Sequence, residues 1–376
     1  MIAGVTPAKA GAQGSALDHA FMARALQLTD RGRETALPNP SVGCVIVKAG
    51  RVIGEGWHVR SGEPHAERNA LAACTESPEG ATVYVTLEPC AHHGRTGPCS
   101  DALVAAKVAR VVAAIEDPYE KVRGQGFARL RAAGIAVDVG CMAAQAEEAH
   151  RSFLHAVRTG RPWMRIKAAA SLDGRTALAD GTSQWITGEA ARRDVHALRA
   201  RSGAMLTGIG TVLSDDPALT VRHVPCSRQP RRVVIDSRLD ILPTAKILQG
   251  EPAMVFTLSR DGERRARIAA TGAEIVEAIE APDKPGKVDL AAMARKLFER
   301  GITDVTVETG TKLSGSLVAA GVVDEIVLYV APMLLGDSAR GLFALPPFTS
   351  LEAALRPRIV ETRMVGDDLR ITARMR

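Results

Sequence analysis

Four residues in the first hundred could together hydrolyse a bond at a metal: His65, Glu67, Cys90 and Cys99. One neutral imidazole and two thiolates make a three-ligand zinc site whose fourth position is left to water, the arrangement of a catalytic rather than a structural zinc. Zinc so held brings the pKa of water towards about 7. Attack on an amidine-like ring carbon then needs a group that takes a proton from water and hands it to departing ammonia. Glu67, two residues from the imidazole and not itself a ligand, suits that role. Neither His65-Ala66-Glu67 nor Pro89-Cys90 means much alone. Their joint placement, one at a helix start and the other at a strand-to-helix turn, carries the signal of a base deaminase. Eight residues, Ala91 to Pro98, separate the two cysteines, where the general signature has two. His92 and His93 in that spacer offer a second choice of imidazole, although holding substrate suits them better. Another thiolate-compatible ion could use the same donors.

The elements that must bring these residues together follow from pattern. Ser15-Ala16-Leu17-Asp18 reads as a capping box, and Leu17, Phe21, Ala25 and Leu28 fall on one face of the helix it opens. After the Pro38-Asn39-Pro40 break, a strand over 42–47 and a hairpin return over 51–55 are expected. A short helix over 65–71, a strand over 82–87, a helix over 100–107 and a strand over 110–115 follow. A helix over 127–133 ended by Gly134, and a strand over 135–139, complete an alternating α/β pattern with a largely parallel portion. A helical stretch over 143–157 leads to Thr159-Gly160-Arg161-Pro162, whose turn chemistry marks a domain boundary. The expected organisation is a flexible tail over 1–15, a first domain over 16–160 and a second over 161–376. In the second, strands are expected over 163–170, 205–208, 232–236, 254–258, 304–308 and 325–330. Helices are expected over 189–201, over 290–300 and from Ser314.

Bulk composition narrows the class. At 376 residues, 46% hydrophobic and 24% charged, the chain suits two globular cores. No apolar run approaches the roughly 20 residues of a membrane span. The opening MIAGVTPAKAGAQG lacks the apolar region of a secretory signal, so a cytoplasmic location is expected. The net charge of +6 favours anionic partners. An aromatic content of 3% is thin for base-stacking nucleic-acid binders, which leaves a phosphorylated small molecule ahead of nucleic acid. The six cysteines do not suggest a disulfide framework, and Cys44, Cys74 and Cys141 read as small core residues.

A second chemical signal lies further on. Gly208-Ile209-Gly210 imitates a dinucleotide fingerprint, but Leu213 stands where its third glycine belongs. The better phosphate cradle is Gly310-Thr311-Lys312-Leu313-Ser314-Gly315-Ser316, between an alternating strand and an apolar helix, where N–H groups would point at an anion. Read from the residues alone, it is as readily a simple turn.

Taken together, Pro38-Asn39-Pro40-Ser41-Val42-Gly43, Gly62-Glu63-Pro64-His65-Ala66-Glu67 and the run from Thr86 to Thr96 resemble the bifunctional riboflavin-biosynthesis deaminase/reductase family. The later Ala170-Ser171-Leu172-Asp173-Gly174-Arg175, Ser183-Gln184-Trp185-Ile186-Thr187, Asp215-Asp216-Pro217-Ala218-Leu219-Thr220 and Ala331-Pro332-Met333-Leu334-Leu335-Gly336 resemble it too. The eight-residue spacer is a feature of that family. The resemblance implies a cytidine-deaminase-like three-layer α/β/α domain and a dihydrofolate-reductase-like α/β domain. It implies zinc-dependent hydrolysis of the 2-amino group of 2,5-diamino-6-(5-phosphoribosylamino)pyrimidin-4-one, then NADPH-dependent reduction of ribosyl to ribityl.

By the same resemblance His65, Cys90 and Cys99 hold zinc, Glu67 carries the proton, and Asn39, His58 and Arg95 contact substrate. The NADPH contacts map onto Ala169, Trp185, Thr211, Asp215, Ser237 and Gly310 to Ser316, that is Gly310, Thr311, Lys312, Leu313, Ser314, Gly315 and Ser316. The second substrate site maps onto Ser183, Arg199, Leu219, Arg222 and Glu308. Asp215 is as readily a turn residue as a proton source for the opened sugar. Two departures stand out: Gly97 replaces the usual Pro, and Tyr119-Glu120 replaces Asn-Pro. The expected partner is a phosphorylated pyrimidine, with neither nucleic acid nor membrane, and the expected assembly a homo-oligomer. Rival readings make the second half a scaffold without reductase activity, or the whole a nucleic-acid base deaminase.

Overall fold

The computed structural model describes residues 15–92 and 97–375. Residues 1–14 of the expected tail, and Arg95, lie outside the described residues. The chain divides into two compact units, Met1–Thr159 and Gly160–Arg376.

The first unit runs α1 (Ala16–Gly32), β1 (Gly43–Lys48), β2 (Arg51–Trp57), α2 (Ala66–Ala72), β3 (Thr82–Val85), α3 (Cys99–Ala105), β4 (Arg110–Ala113), α4 (Gln125–Ala132), β5 (Ala136–Val139), α5 (Ala143–Ala149) and α6 (Arg151–Thr159). Its sheet has the order β2-β1-β3-β4-β5. Strand β1 is antiparallel to both neighbours, whereas β3, β4 and β5 are parallel. Alternate residues of the central strands feed two separate cores. Cys44, Ile46, Val83, Val85 and Val111 pack with Ala66 and Ala70 of α2, Leu103 of α3 and Phe127 and Leu130 of α4. Val45, Val47, Tyr84 and Val112 pack on the other side with Met22, Ala25 and Leu28 of α1, Ala146 of α5 and Leu154 of α6. Strands buried on both faces between helices give three layers.

Helix α1 opens with the expected capping box: Ser15 Oγ accepts from the Asp18 N–H at 3.1 Å, and the Asp18 carboxylate accepts from the Ser15 N–H at 3.0 Å. The Arg110 guanidinium also grips Asp18, at 2.8 and 3.1 Å, and holds its carboxyl well below the usual range. The stretch expected as one helix over 143–157 is instead two, α5 and α6, meeting at His150. The break turns the His150 imidazole inward, where Nε2 shares a hydrogen bond with Thr86 Oγ1 at 2.9 Å. Thr86 Oγ1 also accepts from the Gly43 N–H at 3.1 Å.

The second unit runs β6 (Trp163–Ser171), β7 (Arg175–Ala177), α7 (Glu189–Ala200), β8 (Ala204–Gly208), α8 (Ile209–Asp215), β9 (Arg231–Ile235), β10 (Met254–Thr257), α9 (Gly262–Ala269), β11 (Glu274–Glu277), α10 (Leu290–Glu299), β12 (Asp304–Val307), α11 (Thr311–Ala319), β13 (Glu325–Ala331), β14 (Arg340–Gly341), β15 (Arg358–Val365) and β16 (Asp368–Arg374). The main sheet has the order β11-β10-β9-β8-β12-β6-β13-β16-β15. It is parallel from β11 to β13, and antiparallel in the last two pairings. Helices α10 and α11 cover one face through Met293, Leu297, Leu317 and Val318. Helices α8 and α9 cover the other through Val212 and Ile268, joined by α7 through Ala191 and Val195. Helix α11 starts at Thr311, three residues before the expected Ser314. The closing pair β15 and β16 was not expected from the pattern: RIVETRMV and DLRITAR interleave charge with apolar residues too evenly to read as core.

His150 generates a pH prediction. Burial holds its imidazole down to about 4 from the ordinary 6.5. The unfolded chain takes up a proton below about pH 6.5 that the folded unit refuses until about pH 4. Stability is therefore full above this window and is lost as pH falls through it, by about 3 kcal/mol at completion. In denaturant titrations at pH 7 and pH 4.5, His150→Gln should lose less stability on acidification than the unmodified chain. An identical loss in both would show that His150 is not the titrating group.

Candidate active sites

The expected metal ligands come from three places in the first unit: the start of α2, the turn after β3 and the start of α3. His65 is the N-cap of α2 in extended conformation and makes no capping bond with its side chain, so its ring is free to turn towards the cysteines. Helix α2 lies directly on the backbone of β2, because the Ala66 carbonyl and the Ala70 amide fill the space a Cβ on Gly56 would need. Cys99 is the first residue of α3. Its N–H donates to Cys90 Sγ at 3.3 Å, while the Ser100 N–H and hydroxyl both donate to the Cys90 carbonyl at 3.1 Å. These bonds fold the ends of the spacer onto each other despite its length.

His65 Nδ1 stands 3.5 Å from Cys90 Sγ and 3.4 Å from Cys99 Sγ, and the three donor atoms all lie within 4.8 Å of one another. Ligand bonds of about 2.3 Å to sulfur and about 2.0 Å to nitrogen, set at the tetrahedral angle, place the donors roughly 3.5 Å apart. The donor set therefore fits zinc in both chemistry and spacing. Among the described residues it is the one such group. Its electrostatics fit too. Its bond with Cys99 pulls the Cys90 thiol down to about 4, and the Cys90 side chain together with burial pushes the Cys99 thiol up. One sulfur is thus favoured as a thiolate while the other keeps its proton, and a divalent cation would favour both as thiolates.

Glu67 sits in the first turn of α2, 3% exposed, and burial pushes its carboxyl up to about 7. The expected substrate residues Asn39 and His58 meet beside the ligands. Asn39 Nδ2 lies 3.3 Å from His58 Nε2, and the His58 ring stands edge-on to the His65 ring at 5.1 Å. Arg68, which the motif reading passed over, donates from Nη2 to the Gly97 carbonyl at 3.0 Å and from Nε at 3.2 Å. The end of the spacer is held there although Gly97 replaces proline.

In the second unit the expected residues gather at the carboxyl ends of neighbouring parallel strands, where ligands bind in open α/β sheets. Ala169 lies near the end of β6, Thr211 in α8 just beyond β8, Ser237 just past β9, and Glu308 and Gly310 just past β12. Thr211 Oγ1 accepts from the Gly310 N–H at 3.2 Å and lies 3.5 Å from Thr309 Oγ1. Gly310 is the N-cap of α11 with open space around it. Thr311, Lys312 and Leu313 form the first turn, whose N–H groups have no helical acceptor and face outward for an anion. Ser314 and Gly315 are buried instead, Gly315 against the Ala344 carbonyl, and Ser316 Oγ donates back to the Lys312 carbonyl at 3.0 Å. The cradle is thus a helix start, not a free loop.

Arg199 and Glu308 form a fork-to-fork pair at 2.6 and 2.8 Å, and Arg199 also donates to the Thr220 carbonyl at 3.0 Å. Burial pushes the Glu308 carboxyl up, but Arg199 and Lys167 outweigh it and leave it at about 2. Lys167 of β6 is a residue the motif reading missed. Its signal was an isolated ammonium inside an otherwise largely apolar strand, and burial pushes its pKa down. Leu219 is buried, whereas Arg222 is exposed and donates to Thr220 Oγ1 at 3.1 Å. Ser183 and Trp185 lie on the irregular stretch between β7 and α7, with the Trp185 ring exposed and the Arg192 guanidinium 4.7 Å from it. Asp215 is exposed at the end of α8.

A family model for the RibD C-terminal domain matches residues 162–371. One for the cytidine and deoxycytidylate deaminase zinc-binding region matches residues 15–115. The chain is 48% identical over 364 residues to the riboflavin biosynthesis protein RibD of Escherichia coli, covering 94% of this chain and 98% of that one. The solved structure of Acinetobacter baumannii RibD, 42% identical, superposes with a TM-score of 0.88 over 96% of this chain and 99% of that one. A Thermotoga maritima diaminohydroxyphosphoribosylaminopyrimidine deaminase/5-amino-6-(5-phosphoribosylamino)uracil reductase, 30% identical, gives 0.84 over 96% of this chain and 99% of that one. The chain belongs to the bifunctional riboflavin-biosynthesis deaminase/reductase family.

As a member of the deaminase/reductase family, it deaminates 2,5-diamino-6-(5-phosphoribosylamino)pyrimidin-4-one and reduces the ribosyl group of the product, with zinc and NADPH as cofactors. The cysteine and histidine geometry fits the first cofactor, and the open N-terminus of α11 beside Thr211 fits an anionic group of the second. The metal centre gives a direct test. The purified chain should hold about one zinc, and Cys99→Ala should lower this below about a tenth under mild chelation. Full zinc retention by that variant, read by elemental analysis, would remove Cys99 from the ligand set.

Proposed function

We propose that the first unit carries out the deamination, with Glu67 as its proton carrier and Asn39 and His58 holding the pyrimidine. The observation that supports this most is the convergence of three things in one unit: a buried Glu67, a donor triad of zinc spacing, and the Asn39–His58 pair at its edge. When bound, zinc supplies an activated water. Glu67 accepts a proton as water adds to C2 of the ring and passes it to the leaving nitrogen, which departs as ammonia while the second water proton ends on ring N1 and C2 becomes a carbonyl. His58, its protonated form disfavoured by burial, is suited to a neutral hydrogen bond with the heterocycle. Arg95 is proposed for the substrate phosphate, since a guanidinium fork matches its oxygens.

The second unit is proposed to reduce the sugar. NADPH supplies the hydride when bound, and Thr311, Lys312 and Leu313 with Gly310 and Thr211 would hold one of its phosphates. Ala169, Trp185, Ser237 and Asp215 would line the rest of the cofactor, and Ser183, Leu219 and Arg222 the substrate. The Arg199–Glu308 pair holds Glu308 ionised beside Lys167. That arrangement makes Lys167, rather than exposed Asp215, the better-placed proton source for the opened sugar. A cytoplasmic location is supported by the free cysteines. No helix among the described residues is long and apolar enough to cross a membrane. A homo-oligomer is supported by edge strand β15, where Ile359 and Met364 are each 61% exposed. Sedimentation of the chain with both changed to Lys should shift it towards monomer, and an unchanged mass would refute that interface.

Glu67→Gln should lower ammonia release by roughly 100-fold or more while NADPH oxidation with the deaminated substrate persists. Ammonia release at the normal rate would sink the role given to Glu67. Conversely, Lys167→Met should lower NADPH oxidation by roughly 100-fold with deamination and NADPH affinity intact. Mass spectrometry of the products, with and without NADPH, reads both steps at once.

A further inference from the structure

We propose that Glu88 is a positioning residue of the deaminase site: its buried carboxylate fixes the segment 117–127 so that Tyr119 stands against His92 and bounds the pyrimidine pocket on that side. This rests on assigning deamination to the first unit.

Glu88 lies two residues before Cys90 and is 4% exposed. Its Oε1 accepts from the N–H groups of Gly126 at 2.9 Å and Phe127 at 3.3 Å. Its Oε2 accepts from Gly124 at 3.0 Å and Asp117 at 3.3 Å. All four donors belong to one segment, 29 to 39 residues away in sequence. Three of them lie at the N-terminus of α4, whose dipole favours an anion there. Bonds of this kind to an ionised acceptor are roughly twice as strong as neutral ones. An apolar residue at 88 would strand three buried donors and a half-buried one. The segment also touches the ligand turn directly, because the Pro89 carbonyl occupies the place of a Cβ on Gly126.

What the segment delivers is Tyr119. The Asp117 carboxylate accepts its N–H at 2.9 Å, and its carbonyl accepts from Val122 at 2.8 Å and Arg123 at 2.9 Å. The backbone is thereby locked on both sides of a ring that remains 39% exposed. That ring meets His92 edge-to-face, with centroids 6.3 Å apart. His92 follows the metal ligand Cys90 by two residues, and its Nδ1 is shielded from solvent without a partner among the described residues. Glu88 itself spends its acceptors on backbone amides, so it acts through Tyr119 rather than on substrate.

The test compares Glu88→Gln and Tyr119→Ala in the full zinc-loaded chain. The glutamine amide would turn an NH2 towards two of the four donors and free that half of the segment. Glu88→Gln should raise KM for the diaminopyrimidine roughly tenfold with kcat changed less than about threefold, the mark of lost ground-state binding. Zinc content and NADPH oxidation should stay unchanged, while amide exchange at Gly124 and Asp117 accelerates. Tyr119→Ala, at an exposed position, should raise KM alike, and the double variant should be no worse than Glu88→Gln alone. An unchanged KM in Tyr119→Ala, multiplicative effects in the double variant, or a loss of kcat that tracks loss of zinc would each overturn the proposal. If Glu88→Gln fails to fold, Tyr119→Ala decides alone. Failure of the assignment to the first unit reads differently, as deamination that survives Glu67→Gln.

Discussion

Two thiolates and an imidazole within 4.8 Å of one another form an arrangement that no chain adopts for its own sake. Gathering these donors takes polar groups out of water, and a bound cation would offset that cost. Much of the first unit can be understood as the framework that holds it. The sheet supplies a rigid β3 end to aim Cys90, α2 supplies an uncapped N-terminus for His65, and the start of α3 supplies Cys99. Each attachment is made twice over. The α2 axis is fixed by its contact with glycine backbone in β2 as well as by its apolar face. The cysteine turn is fixed by Ser100 and by the Cys99 amide.

The second unit handles charge differently. Its expected cofactor residues sit at strand ends and at the outward N-terminus of α11, where orientation of backbone dipoles rather than a bound cation favours an anion. Beside them, the Arg199–Glu308–Lys167 cluster keeps a carboxylate ionised and an ammonium loosened within one buried patch. The first unit gathers like-tending donors and relies on an ion to reconcile them. The second gathers opposite charges that reconcile each other.

Legibility in the sequence follows the same division. The grouping of His65, Cys90 and Cys99 was readable because zinc chemistry dictates residue type, and spacing only had to be compatible. The strand over 42–47 was readable as an apolar run, and those over 82–87 and 304–308 as valines alternating with polar or aromatic residues. Three kinds of feature were not. The split of α5 from α6 falls at His150, whose bond to Thr86 is a tertiary contact with no local signature. Strands β15 and β16 carry charge on nearly every turn of the pleat, so period and hydrophobicity disagree. Arg68 and Glu88 look like surface charges until the backbone groups they meet, about 30 positions or more away, are known.

The features that escaped are mostly polar residues that act on backbone, and this is a physical regularity rather than an accident. A ligand or proton carrier must be a particular side chain, so its identity is written at its own position. A residue that orients a loop needs only an acceptor or donor where N–H or C=O groups converge. The loop it serves contributes main chain, which any sequence has. Glu88 illustrates the asymmetry: one glutamate is informative only in the presence of four amides, two of them from glycines, that no motif records. Substrate preference within a family is therefore more free to drift at such supported loops than at the metal. In this chain such a loop carries Tyr119 on a backbone held by the Glu88 carboxylate and by the close approach of Gly126 to the Pro89 carbonyl.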